Sequence, residues 1–248
     1  MIPKKILITG AEGFIGTNLS DHLNFNSDFE VLGFDRDTNQ EILNDYVLSC
    51  DYLVHLAGVN RPINEDEFDL VNFGFTKKIV DLLKQYKKDV PIIFSSSTQV
   101  EDDNLYGKSK LKAENVLLEL GKKQKNNIYI FRFPGVFGAG CKPNYNSVVA
   151  TFCNNIANDI PIEIHDPKVQ LNLIYIEDVI KNIGSILKNL PNLDNPISPK
   201  PVYRISVKDL ADTVNSFSEL LDSGAEVKPK ELFEEALYKT YLSYLSIK

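Results

Sequence analysis

The sequence predicts an α/β fold, a doubly wound parallel sheet with a small C-terminal lobe. Three observations carry this. Apolar runs at 6–9, 31–34, 52–56, 92–95 and 128–132 are continuous rather than alternating, as strands covered on both faces must be. Amphipathic stretches, clearest at 72–86 and 108–120, separate them, the order that builds parallel strand–helix–strand units. The first run also passes directly into Gly10-Ala11-Glu12-Gly13-Phe14-Ile15-Gly16 and then a helical pattern from 17 to 23.

Glycines at 10, 13 and 16 let the chain turn tightly, approach a pyrophosphate and seat the next helix against the strand. The N–H groups and positive dipole end of that helix face the phosphates. A strand before the triplet and a helix after it supply the context of a Rossmann-like dinucleotide site. From Asp37 to Tyr52 there is room for one helix (40–48) but not for an extra strand and helix, so an abbreviated crossover is expected.

After Phe137 the texture changes. Residues 138–146 read as a loop, 147–158 as a helix, and 162–164 and 173–176 as short strands. Four prolines between 191 and 201 mark a connector. Ser206-Val207-Lys208-Asp209 resembles a capping box opening a helix over 207–221, and a last helix covers 231–245. The expected organisation is a dinucleotide-binding domain at 1–140, rejoined by 173–190, and a substrate-binding lobe made of 141–172 and 191–248.

Composition narrows the function. A formal net charge of −7 argues against nonspecific nucleic-acid binding, which needs a basic surface. No apolar run approaches the roughly 20 residues of a membrane helix, and the start lacks a signal-peptide core. Cys50, Cys141 and Cys153 show no CxxC spacing, so neither a disulfide framework nor a metal site is expected. The expectation is a soluble, cytoplasmic enzyme without metal.

The fourth run ends in Ser95-Ser96-Ser97, followed by Tyr106-Gly107-Lys108-Ser109-Lys110. Tyr106 and Lys110, four apart, share one helix face. A lysine ammonium there lowers the pKa of a phenol and helps it exchange a proton with a carbonyl oxygen. A serine at the carboxyl end of the strand can hold that oxygen, where open α/β sheets bind their ligands. His55 reads as a strand-end histidine satisfied by backbone, His22 and His165 as surface residues, and Asn72 as a brace for a neighbouring strand.

The glycine triplet, His55-Leu56-Ala57-Gly58, the triple serine and Tyr106-x-x-x-Lys110 together resemble the extended short-chain dehydrogenase/reductases that act on nucleotide sugars. Residues 132–138 and 169–178 look like that family's substrate-side segments, with Leu171-Asn172 where Arg-Asp is usual. The stretches 55–62, 141–153 and 240–245 are similar to the CapF/WbjC-type enzymes of UDP-N-acetyl-L-fucosamine synthesis. This resemblance implies NADPH-dependent reduction of a 4-keto UDP-2-acetamido-2,6-dideoxy-hexose to the talo sugar, in capsule or O-antigen synthesis. Those enzymes usually carry a C-terminal cupin domain that epimerises at C3. The sequence given stops at Lys248, about where it would begin: cut off, a separate partner, or never there.

By motif position, the resemblance places the pyrophosphate over Gly10, Gly13, Phe14, Ile15 and Gly16. It places the nicotinamide-side ribose over Ala57, Gly58 and Lys110, and counts Leu56 and Phe133 among the cofactor contacts. It makes Ser97, with Ser96 as fallback, the carbonyl-holding serine, Tyr106 the proton donor, and Lys110 the ribose ligand that tunes Tyr106. Substrate candidates are Ser97, Thr98, Arg132, Lys142, Asn144 and Asn146. Arg132 reads equally as a salt-bridged core residue, and Asn144 and Asn146 as turn-formers. The loop between Ser97 and Tyr106 is shorter than in most extended members.

Cofactor choice divides two neighbours. Asp35, nineteen residues after Gly16, suits the free ribose of NAD(H), and Arg36 suits the 2′-phosphate of NADP(H). The reading is NADP(H), with NAD(H) as alternative. Thr98-Gln99 stands where a dehydratase would carry an acid pair, which disfavours dehydration. An epimerase, or a noncatalytic dinucleotide sensor, are the other readings. A homodimer through the helices flanking Tyr106 is expected by analogy.

Overall fold

The structure is a computed structural model that describes residues 2–245. Its contacts divide the chain into two compact units, Met1–Phe133 with Ile180–Pro199, and Pro134–Val179 with Lys200–Lys248.

The first unit holds five parallel strands: β1 (Lys4–Thr9), β2 (Phe29–Phe34), β3 (Tyr52–His55), β4 (Ile92–Ser97) and β5 (Ile128–Phe133), in the order β2-β1-β3-β4-β5. Ile6, Leu7 and Ile8 are fully buried, as a run covered on both faces should be. Helices α1 (Phe14–Asn24), α2 (Ile42–Ser49), α3 (Phe75–Gln85) and α4 (Leu105–Lys123) connect the strands. Leu43, Val47, Ile79, Leu83, Leu117 and Leu120 pack against Leu7, Leu53, Ile92, Phe94 and Ile130. Leu117 and Leu120 of α4 are thus core, whereas Leu111 is 37% exposed.

The abbreviated crossover is present: α2 alone carries the chain from β2 to β3, which pairs directly with β1. The strand order reverses at that point, so the loops after β1 and β3 lie side by side, the place where open α/β sheets bind ligands. Helix α4 begins three residues earlier than its apolar pattern suggests. Asn104 caps it, its side chain accepting from Gly107 N–H at 2.7 Å, which puts Tyr106 in the first turn. The expected helix at 72–86 is α3 from Phe75 onward, and a π-helical stretch, Phe68–Gly74, leads into it.

The connector 191–199 belongs to this unit rather than to the lobe, because it closes one edge of the sheet. Asn195 Oδ1 accepts from Ile130 N–H and its Nδ2 donates to Ile128 O, both at 2.7 Å. Ile197 donates to Ile130 O at 2.7 Å and accepts from Arg132 N–H at 3.3 Å.

The second unit takes up the chain at Pro134, earlier than the expected break after 140, and it keeps 173–179. Its sheet is β6 (Gly135–Phe137), β7 (Gln170–Tyr175) and β8 (Tyr203–Ser206), with α5 (Val148–Ala157), α7 (Val207–Asp222) and α8 (Leu232–Leu242). Helix α6 (Ile176–Asn189) lies between β7 and the connector in sequence. The short β6 and β8 carry too little periodicity to be read from sequence. Residues 162–164 are irregular rather than a strand: Pro161 offers no N–H, and Asn155 takes its carbonyl. Only the cap half of the expected box forms: Ser206 accepts from Asp209 N–H at 3.0 Å, while the Asp209 carboxylate takes the Ser206 hydroxyl proton at 2.6 Å rather than its backbone N–H. Phe137, Phe152, Cys153, Leu210, Val214, Leu237 and Tyr241 fill the core.

Among the described residues no helix is long and apolar enough to cross a membrane, and no cluster of three His, Cys, Asp or Glu is placed to hold a metal. All three cysteines are free, Cys50 and Cys153 being buried.

Candidate active site

The turn after β1 depends on absent side chains. Gly10 has φ +72°, and a Cβ there would lie 2.8 Å from Ala57 N. A Cβ on Gly16 would lie 2.0 Å from Gly10 O, closer than any contact allows. Gly13 caps α1 without a side-chain hydrogen bond, and no acidic residue occupies the first turn. The N–H groups of Phe14, Ile15 and Gly16 are therefore left for an anion, and the turn fits a dinucleotide pyrophosphate. At the end of β2, Asp35 Oδ2 accepts from Glu12 N–H at 2.9 Å. Burial pushes this carboxyl above its ordinary value, against the lowering effect of that hydrogen bond. Arg36 beside it is exposed and makes no ion pair among the described residues.

Beyond Leu56 at the end of β3, Gly58 is needed for space. A Cβ there would stand 2.9 Å from Asn72 Oδ1 and 3.0 Å from Lys110 Nζ. Asn72 binds the Val59 backbone twice, at 2.8 and 3.0 Å, and so braces the loop after β3 rather than a strand. It also donates to Ser109 Oγ at 2.9 Å, and Ser109 donates to Tyr106 O at 2.7 Å.

His55 is fully buried between two threonines rather than held by backbone. Thr76 gives its proton to Asn72 O at 2.7 Å, so His55 Nε2–H donates to Thr76 Oγ1 at 2.8 Å. His55 Nδ1 then accepts from the Thr9 hydroxyl at 2.6 Å, and Thr9 Oγ1 accepts from Ala57 N–H at 3.4 Å. A continuous chain of hydrogen bonds thus joins the glycine turn to the helix that carries Tyr106. Burial, reinforced by the charge of Lys110, lowers the His55 pKa to about 3.

His55 therefore makes a prediction about pH. The unfolded histidine takes up a proton as pH falls through about 6.5, whereas the folded one stays neutral. Stability contributed by His55 is complete above 6.5 and is lost as pH falls towards 3, by up to about 1.4 kcal/mol per pH unit. In NMR spectra the His55 ring should hold its neutral shift from pH 8 to 5 while the urea midpoint declines. A ring titrating near pH 6 would contradict the assignment.

The three serines of β4 divide among three successive turns of α4. Ser97, 7% exposed, is near enough to the Tyr106 phenol to favour its ionised form, and it accepts from Gln99 N–H at 3.2 Å. Ser95 O accepts from Lys110 Nζ at 2.9 Å, and the ammonium also lies 5.0 Å above the Phe94 ring. Ser96, the fallback serine, instead gives its proton to Glu114 Oε1 and is turned away from Tyr106 into the core. Burial lowers the Lys110 pKa to about 8, and the Glu114 charge resists it.

The phenol departs from expectation. Its pKa is raised rather than lowered, because desolvation outweighs the opposing effect of Ser97. Tyr106 is therefore a protonated donor at neutral pH. Phe68, on the π-helical stretch, packs its ring 5.9 Å from that of Tyr106.

Other candidates are placed differently. Arg132 takes its structural alternative: its Nε and Nη2 grip Glu114 at 3.1 and 2.8 Å, and Nη1 reaches Glu101 at 3.2 Å. Phe133 is buried with its ring stacked on Phe131 at 5.2 Å, whereas Thr98 is exposed. In the second unit Lys142 lies over the Tyr145 ring at 5.5 Å. Asn144 has φ +55° and its N–H binds Thr151, the geometry of a turn-former. Asn146 is exposed, as are His22 and His165.

Sequence reading missed Gly107, Glu114, Thr9 and Thr76. A Cβ on Gly107 would lie 1.9 Å from Gln99 O, so α4 rests directly on the turn that follows Ser97. The signal was local: a glycine beside the tyrosine, and a glutamate four positions after the lysine.

Comparison with known proteins agrees with this geometry. The profile described as the NAD dependent epimerase/dehydratase family matches residues 6–198. The UDP-2-acetamido-2,6-beta-L-arabino-hexul-4-ose reductase of Pseudomonas aeruginosa is 40% identical over 243 residues, 97% of this chain and 65% of that protein. The crystal structure of the capsular polysaccharide assembling protein CapF from Staphylococcus aureus superposes with a TM-score of 0.88 at 39% identity, covering 97% of this chain and 66% of that one. UDP-glucose 4-epimerase of Vibrio cholerae is 30% identical over 259 residues, 88% of this chain and 75% of the relative. The chain thus spans just under two thirds of the first two relatives. A tight glycine turn after β1, Tyr106 and Lys110 on one face of α4, and above all a profile match over residues 6–198 place this chain in the NAD dependent epimerase/dehydratase family.

Proposed function

We propose that the chain is an NADPH-dependent reductase of a UDP-linked 4-keto-2-acetamido-2,6-dideoxy-hexose, yielding the talo sugar for capsule or O-antigen synthesis. One arrangement carries the reading: a half-buried, protonated Tyr106 in the first turn of α4, with Ser97 beside it at the end of β4 and the buried Lys110 one helical turn along. The name of the 40%-identical Pseudomonas aeruginosa relative supports the substrate class.

The nicotinamide, when bound, supplies a hydride to C4 of the sugar. Ser97 orients the C4 carbonyl oxygen by hydrogen bonding, and Tyr106 Oη gives that oxygen its proton as it becomes a hydroxyl. Lys110 holds the nicotinamide ribose and presents positive charge beside the phenolate that remains. The reading keeps Thr98, Lys142, Asn144 and Asn146 as contacts to the nucleotide sugar. It also includes a homodimer through the exposed face of α4 around Leu111, and a cupin-type epimerase acting at C3.

Arg36 supports NADP(H). Its guanidinium is exposed and makes no ion pair among the described residues, while the Asp35 carboxylate is tied to the glycine turn. Arg36→Ala is expected to raise KM for NADPH about tenfold and leave NADH unchanged, because a charge-assisted phosphate contact is lost. Wild-type protein that prefers NADH would replace this reading with NAD(H).

The test is cofactor absorbance in a mixture of purified chain, NADPH and the 4-keto UDP-amino sugar. Stoichiometric oxidation of NADPH supports the reductase. Tight cofactor binding without consumption leaves an epimerase or a sensor.

A further inference from the structure

We propose that Glu114 is a positioning residue of the reaction centre, a buried counter-charge that keeps Lys110 in its ammonium form. The proposal deepens the reductase reading and rests on it for the role of Lys110.

Tyr106, Lys110 and Glu114 are spaced four apart and line one face of α4. Glu114 is 3% exposed, a place where a carboxylate survives only with partners. It has three: the Ser96 hydroxyl, Arg132 Nε and Arg132 Nη2. Its orientation is therefore fixed by β4 and β5, one helical turn from a lysine that is itself 4% exposed.

Lys110 has few other supports for its charge. Its Nζ binds the neutral Ser95 carbonyl and stands above the Phe94 ring. The Gly58 backbone and the Asn72 amide adjoin it from the loop after β3 and the π-helical stretch. His55 on β3 is neutral, and Tyr106 on α4 is a protonated phenol. Among these neighbours Glu114 alone carries negative charge, and its effect on Lys110 is to raise the pKa against burial. Arg132 offsets part of that charge from the far side, and Glu101 in turn engages Arg132.

Two variants separate this role from plain packing. Glu114→Gln removes the counter-charge, so Lys110 should lose its proton about one pH unit lower. Arg132→Gln frees Glu114 from its other cation, so Lys110 should lose its proton at higher pH than in wild type. Damage to a merely structural ion pair would move both variants the same way. The readout is the Lys110 Nζ resonance in 15N-lysine-labelled protein, assigned with Lys110→Arg and titrated from pH 6 to 10. The alkaline limb of kcat/KM for NADPH-dependent reduction is followed beside it.

Opposite shifts of the resonance establish the role, with the alkaline limb moving in step. Shifts in one direction, or a midpoint unmoved in folded Glu114→Gln, overturn it. Should Glu114→Gln fail to fold, a downward shift in Arg132→Gln overturns it alone and an upward shift upholds it. Wild-type protein that never turns over the sugar defeats the reductase reading, while the resonance still decides the role of Glu114.

Discussion

Tyr106→Phe is expected to lower kcat about 10³-fold while the protein stays folded and still binds cofactor. The substitution removes one oxygen from a phenol whose ring is already packed against Phe68. Packing is retained and the transferable proton is lost. Raised above the ordinary phenol value by burial, Tyr106 is a reservoir of one proton at neutral pH, which reduction needs and oxidation does not. Single-turnover measurement with prebound cofactor isolates the step. A variant retaining more than a tenth of wild-type kcat would remove Tyr106 from the proton path and point to solvent or Ser97 as the donor.

Gly107→Ala is expected to be nearly as damaging without touching any reacting atom. An added Cβ would sit 1.9 Å from Gln99 O and 2.8 Å from Gln99 C, both backbone atoms that no rotamer change can move. The first turn of α4 must therefore lift off the turn after Ser97, taking Tyr106 with it. Overpacking of this kind costs roughly 1–3 kcal/mol of stability. Displacing a catalytic group by about 1 Å costs on the order of 100-fold in rate. The urea midpoint and kcat should fall together. Unaltered kcat in the variant would mean that the contact between Gly107 and Gln99 relaxes freely.

Much of the architecture was legible because it rests on patterns with a single physical cause. Continuous apolar runs require cover on both faces, and the triplet at Gly10, Gly13 and Gly16 requires a close approach, so β1, α1 and their turn were plain in the sequence. The pair Tyr106 and Lys110 was legible from helical spacing. What stayed hidden depends on partners distant in sequence. Nothing local to Ser96 says that its proton goes to Glu114, or that Arg132 grips the same carboxylate. The start of α4 was placed late because a cap at Asn104 acts through one side chain rather than through periodicity. Strands β6 and β8 owe their existence to β7 beside them. Residues 162–164 had the alternation of a strand and no neighbour to pair with.

The connector that hydrogen-bonds β5 leaves the sheet asymmetric in its exposure to other chains. Residues 195–197 occupy donors and acceptors of one border, whereas β2 ends the sheet on the other with no strand beyond it among the described residues. The single-helix crossover that set β3 directly against β1 is the reason no further strand guards that side. Self-templated growth of the sheet, when the protein is partly unfolded or crowded, has only this border available. Glu30 in the middle of β2, ion-paired with Lys5 of β1, places charge on the strand where an adding chain would have to lie. The same short connection that brings the two ligand loops together leaves β2 as the open border of the five-stranded sheet.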